Sequence, residues 1–196
     1  MMKKILILSV MISVAFPFCS TNKKDNRENT AKTVEQAPDS TINQIDARGY
    51  IVQVGDEAPN FTIKYIDGKT AQLNDLRGKT LMLQFTASWC SVCRKEMPFI
   101  ESDIWQKHKD NENFALIGID LKEDAKTIET FRESTGVTYP VVLDEDGKIF
   151  ELYAEKEAGV TRNVLINKEG KIVFLTRLYD ETEFENLKQH IEKLLE

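Results

Sequence analysis

The sequence predicts an α/β sandwich built on a mixed β-sheet, and three observations carry that prediction. From about Gly49 onward, strand-like and helix-like stretches alternate. Two apolar runs, Leu81-Met82-Leu83-Gln84-Phe85 and Phe114 to Ile119, have the character of strands covered on both faces. A closing pair of strands, joined by Asn167-Lys168-Glu169-Gly170, precedes a C-terminal amphipathic helix. About 145 residues are enough for one full core.

Each element has its own local reason. Phe61-Thr62-Ile63-Lys64-Tyr65 alternates apolar and polar, Asp67-Gly68 turns the chain, and Thr70-Ala71-Gln72-Leu73 returns, which predicts an N-terminal hairpin. A helix is expected from near Cys90 to about Lys107, because Cys93, Met97, Ile100 and Ile104 recur at helical spacing. Pro98 falls inside it and is expected to kink it, since a proline nitrogen has no hydrogen to give the preceding turn. Ala125, Ile128 and Phe131 mark a second helix, stopped near Gly136. Val141-Val142-Leu143 reads as a strand running into Asp144-Glu145-Asp146-Gly147, and Val164-Leu165-Ile166 pairs with Ile172 to Thr176. Thr182-Glu183-Phe184-Glu185 fits a capping box for the last helix, which buries Phe184, Leu187, Ile191 and Leu194.

The start of the chain reads differently. Two lysines among the first four residues precede Ile5 to Phe18, apolar except for Ser9 and Ser13. That is the charged and apolar region of an export signal, too short for a comfortable membrane span. Cys19 follows directly, where a bacterial lipoprotein signal places the cysteine that becomes lipidated; Ser13-Val14-Ala15 offers a competing cleavage site. The expected organisation is a signal peptide over 1–19 with Cys19 lipidated, a polar flexible tether over 20–48, and a folded domain over 49–196. With 41% hydrophobic and 30% charged residues, the composition is that of a soluble globular chain. A formal charge of −6 offers no broad basic footprint and argues against nucleic acid as a partner.

Two of the three cysteines lie in Trp89-Cys90-Ser91-Val92-Cys93. A structural zinc would need two further ligands, and His108 and His190 are isolated in sequence. A structural disulfide across so short a loop would constrain little of the unfolded chain. Small strained rings are comparatively easy to reduce, which suits a shuttle. The redox reading has a positive mechanism: Cys90 sits where a strand hands over to a helix, and the helix N-terminus favours a thiolate there. Cys93, one turn further in, is placed to resolve a mixed disulfide, with Trp89 covering part of an exposed Cys90 sulfur.

The chain resembles the thioredoxin fold, and within it the membrane-tethered, extracytoplasmic thiol-disulfide oxidoreductases of the TlpA/ResA type. The match is carried by Val54-Gly55-Asp56-Glu57-Ala58-Pro59-Asn60-Phe61, by Leu76-Arg77-Gly78-Lys79, and by Leu83 through Pro98 around the cysteines. Tyr139-Pro140-Val141-Val142-Leu143-Asp144 and Val164 through Ile172 complete it. The resemblance implies a thioredoxin-like three-layer sandwich with an N-terminal hairpin extension, and no cofactor or metal beyond a Cys90–Cys93 disulfide. It implies Cys90 as nucleophile, Cys93 as resolving thiol and Glu96 as manager of their protons. Trp89 and the loop Val160-Thr161-Arg162 are the implied substrate contacts. The implied partners are exported thiol or disulfide proteins, a membrane-embedded or soluble thiol reductant, and a periplasmic membrane surface through the lipid.

Two positions depart from relatives. Gln84 stands where cytoplasmic thioredoxins carry a buried acid, which leaves Cys93's proton to another group such as Glu96. The chain reads Gly159-Val160-Thr161-Arg162-Asn163 where the family reads Gly-x-Pro-Thr-Thr, so Thr161 replaces a cis-proline. A cis bond without proline costs ~2.5–4 kcal/mol, so a trans loop is expected, either with similar contacts or with altered substrate choice or a dithiol more open to metal ions. Arg162 is either solvated or close enough to lower a cysteine pKa. Two other functions compete: a copper-binding redoxin using Cys90 and Cys93, and a peroxide reductase. The latter wants a threonine three residues before its cysteine, where this chain has Ala87.

Overall fold

The structure, a computed structural model, describes residues 48–196; the predicted signal, Cys19 and nearly all of the tether lie outside the described residues. The expected hairpin forms from β1 (Thr62–Lys64) and β2 (Thr70–Gln72), antiparallel, with Gly68 in the left-handed conformation its turn demands. β3 (Thr80–Thr86) is buried at all seven positions, as an apolar run between two layers requires. It sits at the centre of a five-stranded sheet with β4 (Phe114–Leu121), β5 (Val141–Asp144), β6 (Arg162–Ile166) and β7 (Ile172–Arg177), in the order β5-β4-β3-β6-β7. β3, β4 and β5 are parallel; β6 runs against them, and β7, antiparallel to β6, returns to their direction.

Connectivity then dictates where the helices go. α1 (Ser91–Ile100) links β3 to β4, and α2 (Ala125–Thr135) links β4 to β5. Both crossovers step the same way along the sheet, and right-handed crossovers put both helices on one face. α3 (Glu181–Leu195) joins them there: Met97, Ile100, Ile128, Phe131, Phe184, Leu187 and Ile191 pack with Met82, Leu116 and Leu165 of the sheet. The opposite face, with Leu83, Phe85, Ile119 and Val164, is covered without a long helix. Tyr50, Val52, Phe61 and Ile63 from the N-terminal segment and Phe150 and Tyr153 from a 3-10 turn (Phe150–Leu152) fill that layer. The N-terminal segment also bridges outward from the face, through Glu57 to Lys171 beside β7 and through Tyr65 to Val142 of β5.

Pro98 lies inside α1 as expected, and the helix does not stop there. It runs on through a π-helical turn (Glu101–Trp105), where the Glu101 N–H is shared between the Met97 and Pro98 carbonyls, and a final turn (Gln106–His108). α2 ends at Gly136, whose φ of 72° is the left-handed closure its sequence predicts. The start of α3 differs from expectation. Asp180, not Thr182, is the cap and accepts the Glu183 N–H at 2.9 Å, while the Glu183 carboxylate is taken by the Arg177 N–H and by Arg48. Either residue can cap; these further partners of Glu183 favour the earlier start.

Candidate active site

The turn that carries the dithiol is short. After β3 the Cys90 N–H closes back on the Ala87 carbonyl at 3.1 Å, and Cys90 caps α1, its sulfur accepting the Cys93 N–H at 3.2 Å. Ser88 is clasped from two sides. Its N–H and hydroxyl both donate to the Glu123 carboxylate, at 2.6 and 2.5 Å, and its carbonyl accepts from Arg94 Nε at 2.7 Å. Glu123 follows β4, and Arg94 lies over the Phe131 ring of α2, so the loop is held by its neighbours in the sheet and helix layers.

Cys90 and Cys93 are both free thiols. Cys90 is less open than expected, with only 9% of its surface exposed, and Cys93 has none; Trp89 beside them is 66% exposed. A hydrogen bond from the Cys93 thiol, then one from Thr161 and the Cys93 and Val92 N–H groups, hold the Cys90 thiol well below its ordinary value, against burial. The same pairing with Cys90, reinforced by burial, drives Cys93 well above it. The two sulfurs are thus set apart in acidity: the outer one favours the thiolate and the inner one keeps its proton.

Thr161 lies opposite. Its hydroxyl is 3.1 Å from Cys90 Sγ and 3.3 Å from Cys93 Sγ, and every peptide bond among the described residues is trans, as expected for this loop. Val160 is buried beside it. Arg162 is not at the dithiol. Strand side chains alternate, so Arg162 shares the Val164 face, away from Thr161. It is fully buried, donates to the Gly159 and Arg48 carbonyls at 3.0 and 2.9 Å, and lies over the Tyr50 ring at 4.5 Å. Both sequence-based expectations for Arg162, solvated side chain or thiol neighbour, give way to a buried structural cation, and it presents no surface to a substrate.

Beneath the dithiol, on the helix-facing side of the sheet, lies a buried polar layer. Glu96 is 1% exposed and accepts Asn163 Nδ2 at 2.7 Å; Asn163 also donates to Thr176 at 2.9 Å. Gln84 accepts the Tyr139 hydroxyl at 2.7 Å. Burial pushes the Glu96 carboxyl up to about 7, although the Asn163 and Gln84 amides pull it down. Asp120, on β4, is fully buried, and burial with Glu123 beside it pushes its carboxyl up to about 8. Gln84 Nε2, Glu96 Oε2, Asn163 Oδ1 and both Asp120 oxygens make no hydrogen bond of ordinary geometry among the described residues. Such under-paired buried groups are costly in a pure core and typical of a site that handles protons.

Asp120, Glu123, Asn163 and Thr86, whose hydroxyl reaches the Cys93 thiol, are site residues that the sequence reading missed. Its signal for Asp120 was a single acid at the end of an apolar run, but the strand was expected to stop at Ile119. The histidines take no part: His108 pairs with Glu192 at 3.3 Å and His190 stacks on Phe174. Among the described residues no cluster of three or more His, Cys, Asp or Glu side chains gathers as a metal site.

A dithiol at the strand-to-helix turn of this mixed sheet, with an acidic outer thiol and a protonated inner one, defines a thioredoxin-fold protein of thiol-disulfide exchange. The Redoxin family model matches residues 53–191, and the chain belongs to the redoxin family. Among curated relatives it is similar to the thiol-disulfide oxidoreductase ResA of Bacillus subtilis, 35% identical over 107 residues, 55% of this chain and 58% of that protein. It is 32% identical over 143 residues to ResA of Bacillus thuringiensis, 73% of this chain and 79% of that protein. A solved Bacteroides thetaiotaomicron structure, provisionally assigned as a protein disulfide isomerase, is 62% identical, with 75% of this chain and 92% of that one aligned at a TM-score of 0.73. Within the redoxins this chain is of the TlpA/ResA type.

Proposed function

We propose that this protein reduces disulfides in exported proteins, passing electrons from its dithiol to the client. The observation that carries the reading is the split acidity of two sulfurs one helical turn apart, Cys90 held as a thiolate at the start of α1 and Cys93 protonated behind it. The Cys90 thiolate attacks one client sulfur; a Cys90–client disulfide forms, the client disulfide breaks, and the leaving thiolate takes up a proton. Cys93 then yields its proton to Glu96 and attacks Cys90 Sγ, closing the Cys90–Cys93 disulfide and expelling the second client sulfur as a thiolate, which takes up a proton. Glu96, with a carboxyl near neutrality, is matched to that transfer at physiological pH. A thiol reductant, membrane-embedded or soluble, returns the two electrons. The exposed Trp89 ring forms the contact surface beside Cys90, whereas the Val160 and Thr161 side chains are buried.

Placement outside the cytoplasm, with Cys19 lipidated and residues 20–48 as tether, belongs to the same reading and rests on the sequence alone. The test of function is insulin-disulfide reduction with dithiothreitol. Cys90→Ser is expected to fall to the uncatalysed rate, and unchanged turnover would refute the proposal. The direction of flow is read from the potential in glutathione buffers: about −270 mV marks a reductant like thioredoxin, and about −120 mV an oxidant.

A further inference from the structure

Among the described residues Thr161 is the one whose side chain touches both sulfurs from outside their own helix, and its hold on them is built in advance. Its carbonyl accepts the Leu178 N–H at 3.2 Å and Arg177 Nη1 at 3.1 Å. Two residues earlier, the Gly159 carbonyl is anchored by Arg162 Nε at 3.0 Å. The backbone on both sides is therefore fixed by groups that do not belong to the dithiol. The side chain is 2% exposed, so water does not compete freely for its hydroxyl.

We propose that the Thr161 hydroxyl is a catalytic group of this site: it donates to the reduced Cys90 thiolate and makes the dithiol less reducing than it would be without it. A hydroxyl has a single hydrogen and spare acceptor capacity. At 3.1 and 3.3 Å it can donate to the anionic outer sulfur while facing the protonated inner one. Hydrogen bonds to ionised groups are about twice as strong as neutral ones. Oxidation removes two electrons and the Cys93 proton, and joins the sulfurs into a neutral disulfide. The hydroxyl then loses its anionic acceptor and keeps only a weak bond. Its stabilisation falls on the reduced form, the same sense in which a stabilised reduced form makes a dithiol more oxidising. The hydroxyl's lowering of Cys90's proton affinity is in keeping with this.

The inference rests on the dithiol chemistry proposed above but needs neither client nor direction, so it is tested on the full chain alone. Thr161→Val keeps the shape and removes the hydroxyl; Thr161→Ser keeps the hydroxyl. The Cys90 midpoint is read from thiolate absorbance and from alkylation rate against pH, and the dithiol–disulfide equilibrium from glutathione buffers. In Thr161→Val the midpoint should rise and the equilibrium constant shift roughly tenfold toward the disulfide; in Thr161→Ser both should stay near wild type. Thr161→Ala serves in place of valine if valine disturbs folding. An unchanged midpoint and equilibrium in the hydroxyl-free variant would overturn the inference, as would a serine variant that behaves like valine. If those results come with intact insulin reduction by wild type, only the role of Thr161 fails; if wild type does not reduce insulin, the wider reading fails.

Discussion

The two faces of the central sheet treat buried polarity in opposite ways. On the face covered by the N-terminal segment, the buried charges have partners: Arg162 donates to carbonyls and lies over aromatic rings, and Asp144 accepts the Ile149 and Phe150 N–H groups. On the helix face, under the start of α1, six polar side chains (Gln84, Thr86, Glu96, Asp120, Thr161 and Asn163) are buried together, and several of their atoms lack partners. A charge that serves stability is enclosed by acceptors that suit it. The buried carboxyls of the helix face are under-paired, and burial raises Glu96 to about 7 and Asp120 to about 8. Adjacent residues Thr161 and Arg162 fall on the two sides of that divide because strand side chains alternate.

Substitutions on each face should therefore separate stability from chemistry. The largest stability change is expected for Arg162→Met, which leaves two part-buried carbonyls without their donor and removes a cation from two rings. About 3 kcal/mol should be lost in urea unfolding, while the Cys90 thiolate midpoint stays put. A shifted midpoint would mean that the two faces are not independent.

Glu96→Gln should act in the reverse sense. In the fold the Glu96 carboxyl is raised to about 7 from an ordinary 4.5. Its neutral form suits the folded site, so no stability is lost below the unfolded value. Stability falls as pH rises from there through the folded value, by roughly 3 kcal/mol in total at pH 8. The glutamine variant should flatten that fall, gaining stability at pH 8 while disulfide release slows. Asp120→Asn should likewise flatten the fall, over a window that extends to about pH 8. A variant no more stable than wild type at pH 8 would contradict the raised carboxyls. The smallest effect belongs to Glu123→Gln, which weakens both donations from Ser88. It should cost about 1 kcal/mol and slow Cys90 alkylation, with the pH midpoint unchanged.

Much of this molecule was legible in the chain. The strands, the hairpin and the helix stripe of Cys93, Met97, Ile100 and Ile104 follow from periodicity, and all four stripe residues are buried. The position of Cys90 at a strand-to-helix turn follows from the flanking runs. What escaped reading depends on pairing between distant segments. The single-faced helix layer follows from strand order, which periodicity does not contain. Glu123 reaches Ser88 only because β3 and β4 are parallel neighbours. Arg162 was misread because its neighbour at the dithiol drew attention, although its two-residue spacing from Val164 already placed it on the other face. Asn163 became meaningful only when Glu96 was found against it.

The N-terminal segment that bridges Lys171 and Val142 touches both outer strands of the sheet. Near β7, the Gly55 N–H donates to the Ile172 carbonyl and the Ile172 N–H to the Asp56 carbonyl; at the far side Tyr65 bridges Val142 of β5. Unpaired strand edges recruit other extended chains and seed aggregation. For a protein proposed to meet incompletely folded clients, that is a particular hazard, since such clients present free strands. The strap occupies the Ile172 and Val142 edge groups with the protein's own backbone, so at those two places the sheet edge offers no free pairing to an incoming extended chain.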